Sequence, residues 1–370
     1  MTVPHTHASP PAITDFALVE QTALTALKQR VSHAFVTGAG GFLGKAICER
    51  LMAAGINVTG FARGDYPELS AMGVNMVKGD LANETCVTSA MQGCDIVFHV
   101  ASKAGVWGSK QSYYSPNVDG AKYIINACKK ANISQLIYTS TPSVTFTGLD
   151  ENGCDESAPY AAQYLNYYGE SKALAEQMML AANGDNTANG QVLQTVSLRP
   201  HLIWGPGDPH LVPRVLERAK AGRLKLVGKR DKLVDTIYVG NAAFAHILAA
   251  ERLCAAHAQG LQALCAGKAY YLSNDEPITM AQMLNKILAC QALPKVSKRV
   301  PTSLAYSVGV ILESIYTLLG KSEEPIMTRF VARQLSTSHY FDISAAKRDL
   351  GYSAVVSIDE GMQRLKESLN

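Results

Sequence analysis

A glycine-rich turn between an apolar strand and a helix constrains this chain more than any other segment. The turn is residues 37–44, TGAGGFLG, and it follows a short apolar run at residues 34–36. Apolar residues recur at helical spacing through residues 45–52. Strand, glycine turn and helix in this order form the context in which such a motif binds a dinucleotide. The alternative is a glycine turn that binds no ligand.

Each glycine of the turn has a separate purpose in that interpretation. Gly38 permits a tight turn, Gly41 lets the backbone approach a pyrophosphate, and Gly44 lets the helix pack closely on the strand. The N-terminal N–H groups of the helix and its dipole then favour the phosphates. We expect the rest of the turn to contact the dinucleotide as well, through Gly40, Phe42 and Leu43.

Charge and composition exclude several classes of protein. The 370 residues are 47% hydrophobic and 18% charged, with a net charge of +3. These values describe a globular chain that can bury a large core. The charge is too small, and the lysines and arginines too scattered, for a nucleic-acid-binding surface. No run of apolar residues is long enough to predict a transmembrane span.

The cysteine pattern predicts reduced thiols. Eight cysteines are scattered singly, without a C-x-x-C pair. This spacing argues against a zinc site or a disulfide framework, and the histidines also lack metal-ligand spacing, so we predict no metal. Residues 1–13 have no basic segment before an apolar core and therefore do not resemble a secretory signal. We expect residues 1–13 to be a disordered tail and the protein to be cytoplasmic.

Strand and helix patterns alternate from residue 34 to residue 200. Apolar runs at residues 57–62, 74–81, 95–101 and 135–140 predict buried parallel strands, with helices between them. This order predicts an α/β fold with a doubly wound parallel sheet. We assign residues 1–30 to a tail and helix, and residues 31–200 plus about 235–265 to a Rossmann domain. Residues 201–234 plus about 266–370 form a smaller substrate lobe.

The end of the second predicted strand bears on cofactor choice. In a dinucleotide-binding unit this point, about 20 residues past the glycines, faces the adenosine ribose. An acidic residue there would favour NAD, but Ala62 occupies the position and Arg63 follows it. A guanidinium grips phosphate well, so the pair favours NADP(H) over NAD(H), unless Arg63 is only a surface charge. The third strand ends near Asp80 and Leu81, which we expect beside the adenine.

Two hydroxyl-rich segments indicate catalysis. Tyr168 and Lys172 are four residues apart in a helical pattern and therefore share one face. A phenol with a pKa near 10 needs a nearby ammonium to act as an acid or base at neutral pH. Residues 138–143, YTSTPS, end the fifth strand, where open α/β sheets place their ligands. Thr141 and Ser143 are the candidate hydroxyl partners there.

Taken together, these segments resemble an extended short-chain dehydrogenase/reductase of the 3β-hydroxysteroid dehydrogenase-like branch. The resemblance covers residues 35–352. Within the branch, residues 102–108 and 140–144 are most similar to the reductases of 2-alkyl-3-oxoalkanoates in bacterial long-chain olefin biosynthesis. The motifs that carry the family resemblance are TGAGGFLG (37–44), DL (80–81), NVDG (117–120), YGESK (168–172), LRPHLIWGPGD (198–208) and DTIYVGNAAFAH (235–246).

The resemblance implies a role for each matching residue. Tyr168 would protonate the carbonyl oxygen, and Lys172 would hold the nicotinamide ribose and lower the pKa of the tyrosine. Thr141 would be the catalytic hydroxyl, with Ser143 as the alternative because Pro142 stiffens the turn. Asn117 would either support the active-site helix or cap a helix. The residues expected beside the cofactor or substrate are Ala101 and Pro200 for the cofactor, and Lys103, Trp107 and His201 for the substrate, with Arg199 as an alternative to Lys103 for the carboxylate.

The expected reaction is therefore NADPH-dependent reduction of a lipid-like β-keto acid, with no nucleic-acid partner. A homodimer and a complex with other pathway enzymes are expected by the same resemblance. The alternatives are an NAD-dependent 3β-hydroxysteroid or sterol dehydrogenase, a nucleotide-sugar epimerase, and a non-catalytic nucleotide sensor. The nucleotide sensor would not need Tyr168 and Lys172.

Two segments of the last third remain open from sequence alone. Residues 225–232 are locally basic and predict either a solvated hairpin or a site for an anionic group. Residues 301–320 predict an apolar helix that roofs an acyl pocket, belongs to the core, docks a partner, or touches a membrane surface. Glu313 interrupts that apolar stretch. Near the C-terminus, Ser344 is a candidate N-cap of a helix.

Overall fold

The computed structural model describes residues 10–370. Residues 1–9 of the predicted tail lie outside this range. The predicted N-terminal helix is confirmed: a 3₁₀ turn at Ile13–Asp15 leads into α1, Leu18–Lys28. Glu20 of α1 is buried and forms an ion pair with Arg50 at 2.9 Å. The N-terminal helix is thereby fixed to the domain that follows it.

A seven-stranded parallel sheet forms the centre of the protein. Because its strands are apolar and almost wholly buried on both faces, the sequence reads as continuous apolar runs. The order of its strands is β12-β7-β5-β4-β1-β2-β3. All the strands are parallel, and the chain order of the strands reverses between β4 and β1. The strands are β1 (His33–Thr37), β2 (Asn57–Ala62), β3 (Asn75–Lys78), β4 (Ile96–His99), β5 (Gln135–Thr139), β7 (Gln194–Pro200) and β12 (Lys268–Leu272).

Helices cover both faces of this sheet, as the doubly wound prediction requires. One face packs on α1, α2 and α9, and the other on α4, α6 and α7. A π-helical turn, Ser115–Asp119, joins α5 to α6 in one long helix. The helices of this half are α2 (Phe42–Ala53), α3 (Pro67–Ala71), α4 (Glu84–Ala90), α5 (Lys110–Tyr114), α6 (Gly120–Ala131), α7 (Tyr167–Ala181) and α9 (Val239–His257).

The second lobe is built from short strands and helices around a four-stranded sheet, ordered β13-β10-β15-β6. Two further strand pairs, β11 with β8 and β14 with β9, connect it to the rest of the chain. Its strands are β6 (Glu151–Cys154), β8 (Ile203–Trp204), β9 (Leu226–Val227), β10 (Leu233–Val234), β11 (Ile237–Tyr238), β13 (Ile278–Thr279), β14 (Arg299–Val300) and β15 (His339–Phe341). Its helices are α8 (Leu211–Lys220), α10 (Met280–Cys290), α11 (Thr302–Leu318), α12 (Arg329–Gln334), α13 (Ser344–Leu350) and α14 (Ile358–Leu369).

The predicted domain boundaries need two corrections. β12 completes the central sheet by pairing with β7, although we assigned residues from 266 onward to the substrate lobe. β6 pairs with β15 in the four-stranded sheet, although residues 31–200 were assigned to the Rossmann domain. Neither strand reveals its partner through its own sequence, because pairing across more than 70 residues is decided by the tertiary fold.

Three local predictions also change. Residues 225–232 do not form a hairpin, because β9 and β10 belong to different sheets. Ser344 is the first residue of α13 rather than its cap, and its N–H donates to the Asp342 carboxylate at 2.8 Å. The predicted apolar helix exists as α11, but only Ala305 and Gly309 of its 17 residues are buried, and Ala305 belongs to a small apolar cluster with Val227 and Ala332.

Candidate active site

A cavity of about 650 Å³ crosses the carboxyl ends of the central strands. Open α/β sheets bind their ligands at this edge, beside the point where the strand order reverses. All but two of the predicted cofactor residues line it; the exceptions are Gly40 and Lys172. Those that do are Gly38, Gly41, Phe42, Leu43, Gly44, Arg63, Asp80, Leu81, Ala101 and Pro200.

The glycine turn forms a cradle that only glycine permits. Gly38 has a φ of 66°, and a Cβ there would lie 2.8 Å from Cα of Ala101. A Cβ on Gly44 would lie 2.1 Å from the carbonyl oxygen of Gly38. Helix α2 starts directly after Gly41, so its free N–H groups face the cavity. These features fit the pyrophosphate of a dinucleotide.

Gly40 lies under the ring of Tyr66. A Cβ on Gly40 would lie 2.1 Å from the ring of Tyr66, which covers this glycine. Tyr66 itself lines the cavity. No sequence pattern marks Tyr66 as a site residue, because it lies in the loop after β2 and only the fold brings that loop over the glycine turn.

The end of β2 presents one cation to the cavity. Arg63 is exposed and lines the cavity, directly after Ala62. Ala62 pairs with Lys78 on the adjacent strand, and Lys78 forms an exposed ion pair with Asp65 at 2.8 Å. A carboxylate is therefore present close to Arg63, but Lys78 engages it.

Thr37 links the glycine turn to the end of β4, a contact that the sequence analysis did not identify. Its Oγ1 accepts hydrogen bonds from the N–H groups of Val100 and Ala101, both at 3.1 Å. Its single proton is then left for Nδ1 of His99, 2.8 Å away. Burial and the charge of Lys172 lower the pKa of His99 to about 3, so the ring is neutral.

Tyr168 and Thr141 meet at the far end of the cavity, and both line it. Asn166 caps α7 by accepting a hydrogen bond from Gly169 N–H, which places Tyr168 in the first turn. Burial raises the pKa of Tyr168, and a hydrogen bond with Thr141 opposes this. Ser143 does not line the cavity; its Oγ lies 3.3 Å from Thr141 Oγ1.

Lys172 lies beneath this end of the cavity, with a relative exposure of 1%. Its ammonium donates to the carbonyl of Thr139 at 2.6 Å and lies 4.2 Å from the centroid of the Tyr138 ring. Burial lowers the pKa of Lys172 to about 7, although Glu176 opposes the shift. The direction of the Tyr168 pKa shift is set by burial, which raises it, with the Thr141 hydrogen bond opposing.

Arg199 is not available to a substrate carboxylate, contrary to one expectation. Its guanidinium pairs with Glu176 at 2.5 Å, and both side chains are at most 4% exposed. Tyr160 donates a further hydrogen bond to the same carboxylate at 2.7 Å. Glu176 lies on α7 and Arg199 on β7, so no sequence spacing indicates this buried pair.

Two predicted substrate residues do not line the cavity. His201 is buried, and its ring packs edge-on against Phe341 and His339 of the second lobe. Trp107 donates through Nε1 to the carbonyl of Lys321, at 3.0 Å, and its ring packs on Tyr316 of α11. Trp107 thus fastens the loop after β4 to the end of α11.

Lys103 does line the cavity, and Asn117 fixes its backbone. Oδ1 of Asn117 accepts from Lys103 N–H at 2.7 Å, and its Nδ2 donates to Lys103 O at 3.2 Å and to Ser171 Oγ at 3.0 Å. Asn117 therefore links the loop after β4 to α7 by hydrogen bonds. This agrees with the expected support of the active-site helix and not with the expected helix cap.

Neither a metal cluster nor a membrane span is found in the described part of the chain. Within residues 10–370, no three His, Cys, Asp or Glu side chains are grouped to hold a metal ion. No helix in the same range combines the length and the apolar character needed to cross a bilayer.

The sheet, the glycine cradle and the Tyr168–Lys172 pair define an NAD(P)-dependent oxidoreductase of the short-chain dehydrogenase/reductase type. Solved structures share this fold. An epimerase from Methanothermobacter thermautotrophicus aligns with a TM-score of 0.73 at 16% identity, covering 94% of this chain and 95% of that one. MoeE5 in complex with UDP-glucose and NAD aligns with a TM-score of 0.69 at 20% identity, covering 91% and 98%.

The chain belongs to the 3-beta hydroxysteroid dehydrogenase/isomerase family, whose model matches residues 35–300. The predicted family and extended subclass are thereby confirmed. A 2-alkyl-3-oxoalkanoate reductase of Shewanella oneidensis is 68% identical over 95% of this chain and 89% of its own length. A protein of the same name from Stenotrophomonas maltophilia is 48% identical, over 90% and 98%. The sterol-4-alpha-carboxylate 3-dehydrogenase, decarboxylating, of Mus musculus is 34% identical, over 95% of each chain.

Proposed function

We propose that this protein reduces the 3-oxo group of a long-chain 2-alkyl-3-oxoalkanoate with NADPH, giving the 3-hydroxy acid. The observation that carries the proposal is one cavity with the glycine cradle at one end and Tyr168 and Thr141 at the other. The 68% identical relative from Shewanella oneidensis, which covers nearly the whole chain, supports the choice of substrate. The relatives from Shewanella oneidensis and Stenotrophomonas maltophilia, both named as reductases, support the direction of the reaction.

In this reaction a bound nicotinamide cofactor supplies the hydride. Tyr168 donates its phenolic proton to the oxygen that develops negative charge at C3. Thr141 holds the phenol by hydrogen bonding, and its hydroxyl lies 3.3 Å from Ser143 Oγ. Because burial raises the pKa of Tyr168, the phenol stays protonated until the oxygen can accept its proton.

Lys172 has the role of binding the nicotinamide ribose in this proposal. Its ammonium is buried one helical turn after Tyr168 on α7, and its pKa of about 7 permits proton exchange near neutral pH. Asn117, through Ser171, holds the helix that carries both Tyr168 and Lys172. Replacement of the tyrosine proton from solvent would pass through this part of the site.

Arg63 supports NADP(H) over NAD(H). It follows a strand end without a carboxylate, it lines the cavity, and no ion pair engages it within the described residues. The nearby Asp65 carboxylate is already paired with Lys78. A 2′-phosphate on the adenosine ribose is the group that would satisfy the exposed guanidinium.

The place of the protein in the cell follows from the same proposal. A reductase of this substrate belongs in the cytoplasm beside the other enzymes of long-chain olefin biosynthesis, either as a homodimer or in a complex with them. The exposed apolar side chains of α11 support contact with a partner, a membrane surface or the acyl arms of the substrate. Among them are Leu304, Ile311, Ile315 and Leu318.

An NAD-dependent sterol or steroid 3β-dehydrogenase is the second candidate function. The mouse relative at 34% identity supports it. The name of that relative describes a carboxylate on carbon 4, next to the reacting carbon 3. The nucleotide-sugar enzymes among the solved structures are at most 20% identical and therefore support only the fold.

Absorbance of the reduced nicotinamide tests the proposal. Purified protein is given a synthetic 2-alkyl-3-hydroxyalkanoate, with NADP⁺ and NAD⁺ in parallel, and then a 3β-hydroxysteroid. We expect turnover of the hydroxy acid with a preference for NADP⁺, and loss of that preference in Arg63→Ala. Activity on the steroid with NAD⁺ alone would replace the proposed substrate and cofactor with the second candidate.

A matched pair of tyrosine variants tests the assignment of the proton donor. Tyr168→Phe should lower kcat by about 100-fold or more while leaving NADPH binding intact, because only the proton donor is lost. Tyr167→Phe is the control, since this neighbouring phenol is 42% exposed. Full activity of Tyr168→Phe would disprove the assignment.

A further inference from the structure

The charges that line the cavity are unevenly placed. Arg63 and Asp80 lie at the end beside β2 and β3, where the adenosine would bind. Lys103 follows β4 and is the remaining lysine or arginine in the lining within the described residues. Arg199, the other cation considered from the sequence, is closed off by its pair with Glu176.

Hydrogen bonds tie the Lys103 backbone to the catalytic helix. Asn117 contacts both the N–H and the carbonyl of Lys103, and it donates to Ser171 Oγ. Ser171 in turn donates to the carbonyl of Tyr168 at 3.0 Å. Four hydrogen bonds through the side chains of Asn117 and Ser171 therefore fix the Lys103 backbone relative to that of Tyr168.

The Lys103 ammonium contacts the ring of Tyr113 on α5. It lies 4.8 Å from the centroid of the Tyr113 ring. Tyr113 lies within electrostatic reach of Tyr168 and Glu324, both of which, together with burial, raise its pKa to about 12. Within residues 10–370, no carboxylate lies within 4.0 Å of this ammonium, and Glu324 is instead held by Arg214 at 2.9 Å.

We propose that Lys103 binds the carboxylate of the substrate and that Asn117 is its positioning residue. The inference rests on the proposed function, in which a single carbon separates the carboxylate from the carbonyl at C3. With Tyr168 on the C3 oxygen and Lys103 on the carboxylate, two fixed points orient the substrate. The half-buried cation without a counterion is the observation that carries this proposal.

The test compares a carboxylate with its uncharged methyl ester. Oxidation of a 2-alkyl-3-hydroxyalkanoate and of its methyl ester by NADP⁺ is measured for wild type and Lys103→Met. We expect wild type to prefer the acid by about 10- to 100-fold in kcat/KM, as for a hydrogen bond to a charged group. Lys103→Met should lose that preference, because its kcat/KM falls far more for the acid than for the ester, while Lys103→Arg should retain part of the preference.

Lys110→Met is the matched control. This lysine lies seven residues further along, contacts the ring of Tyr114 at 4.6 Å, and does not line the cavity. Its removal should leave the ratio of acid to ester activity unchanged. Asn117→Ala should lower that ratio even though Lys103 is still present, which a loss of folded protein alone would not do.

A binding experiment keeps the inference separate from the proposed function. Calorimetry follows a non-reacting 2-alkylalkanoate binding to NADP⁺-saturated wild type and to Lys103→Met. Affinity for this acid should fall by about 10- to 100-fold in the variant. Equal affinity would overturn the inference whether or not wild type turns over the hydroxy acid. A raised KM for NADP⁺ with an unchanged acid-to-ester ratio would also overturn it, by assigning Lys103 to the cofactor.

Discussion

Two long apolar helices, α9 and α11, have opposite environments. Fourteen of the 19 residues of α9 are buried, where it packs on the central sheet and on α1 and α2. Only two of the 17 residues of α11 are buried, and its main neighbour is α12. Apolar composition alone therefore does not decide which helix is buried in the core. The number of helices and strands that pack around the helix decides it.

The same difference separates the two halves of the site. The cofactor end is formed by one continuous segment, strand, turn and helix, embedded in the buried half. The Tyr168 end is assembled from the loop after β4, the π-helical turn, the end of β5 and the first turn of α7. We therefore expect substitutions in the first half to change stability and those near α11 to change it much less.

The largest effect is expected for the buried ion pair of the cofactor half. Arg199→Met leaves Glu176 unpaired in a site with no exposed surface, which should destabilise the fold by about 3–5 kcal/mol. Arg329→Met removes the partner of Glu313 between α12 and α11, where the arginine is 45% exposed, and should cost about 1 kcal/mol or less. Urea unfolding measures both, and similar losses would contradict the comparison.

A pair of isoleucines compares the two helices directly. Ile247 of α9 is 0% exposed, so Ile247→Ala should destabilise the protein by about 2–5 kcal/mol through a cavity. Ile311 of α11 is 58% exposed, and Ile311→Ala should change stability by about 0.5 kcal/mol or less. A loss at Ile311 as large as that at Ile247 would mean that a second surface covers α11 in solution.

Gly309 is the exception within α11. A Cβ there would lie 2.7 Å from the carbonyl carbon of Thr328, so Gly309→Ala should push α11 away from α12 and cost about 1–3 kcal/mol. Ser307→Ala, at an exposed position of the same helix, is the control and should be nearly neutral. Equal urea midpoints for the two variants would show that the helix contact is loose.

The smallest effect concerns pH in the second lobe. Burial raises the pKa of Glu151, on β6, to about 7, against hydrogen bonding from Thr145 and the charge of Arg199. The folded state then binds more protons than the unfolded state between about pH 4.5 and 7, so this group lowers stability as pH rises through that window. Glu151→Gln should therefore stabilise the protein by about 1 kcal/mol at pH 8 and not at pH 4. A gain that is the same at both pH values would argue against a raised pKa.

Features that depend on residues close together in the sequence could be predicted, and contacts between distant segments could not. The strand–turn–helix unit, the alternating elements and the Tyr168–Lys172 spacing are local patterns, and the structure and the family match agree with them. The pairing of β12 with β7, the Tyr66 ring over Gly40 and the Arg199–Glu176 pair join distant segments. No periodicity in the sequence encodes such contacts. The residue type of an arginine also does not indicate whether its side chain is buried in an ion pair or faces a substrate.

The sequence by itself determined the fold class, the family and the cofactor cradle, because glycine conformations and helix faces are properties of adjacent residues. Tertiary structure alone decided that Arg199 is closed off, that His201 faces the second lobe, and that Lys103 remains in the cavity. The physical reason is desolvation: a charged side chain becomes available to a ligand only where the fold leaves it without a partner and within reach of the cavity.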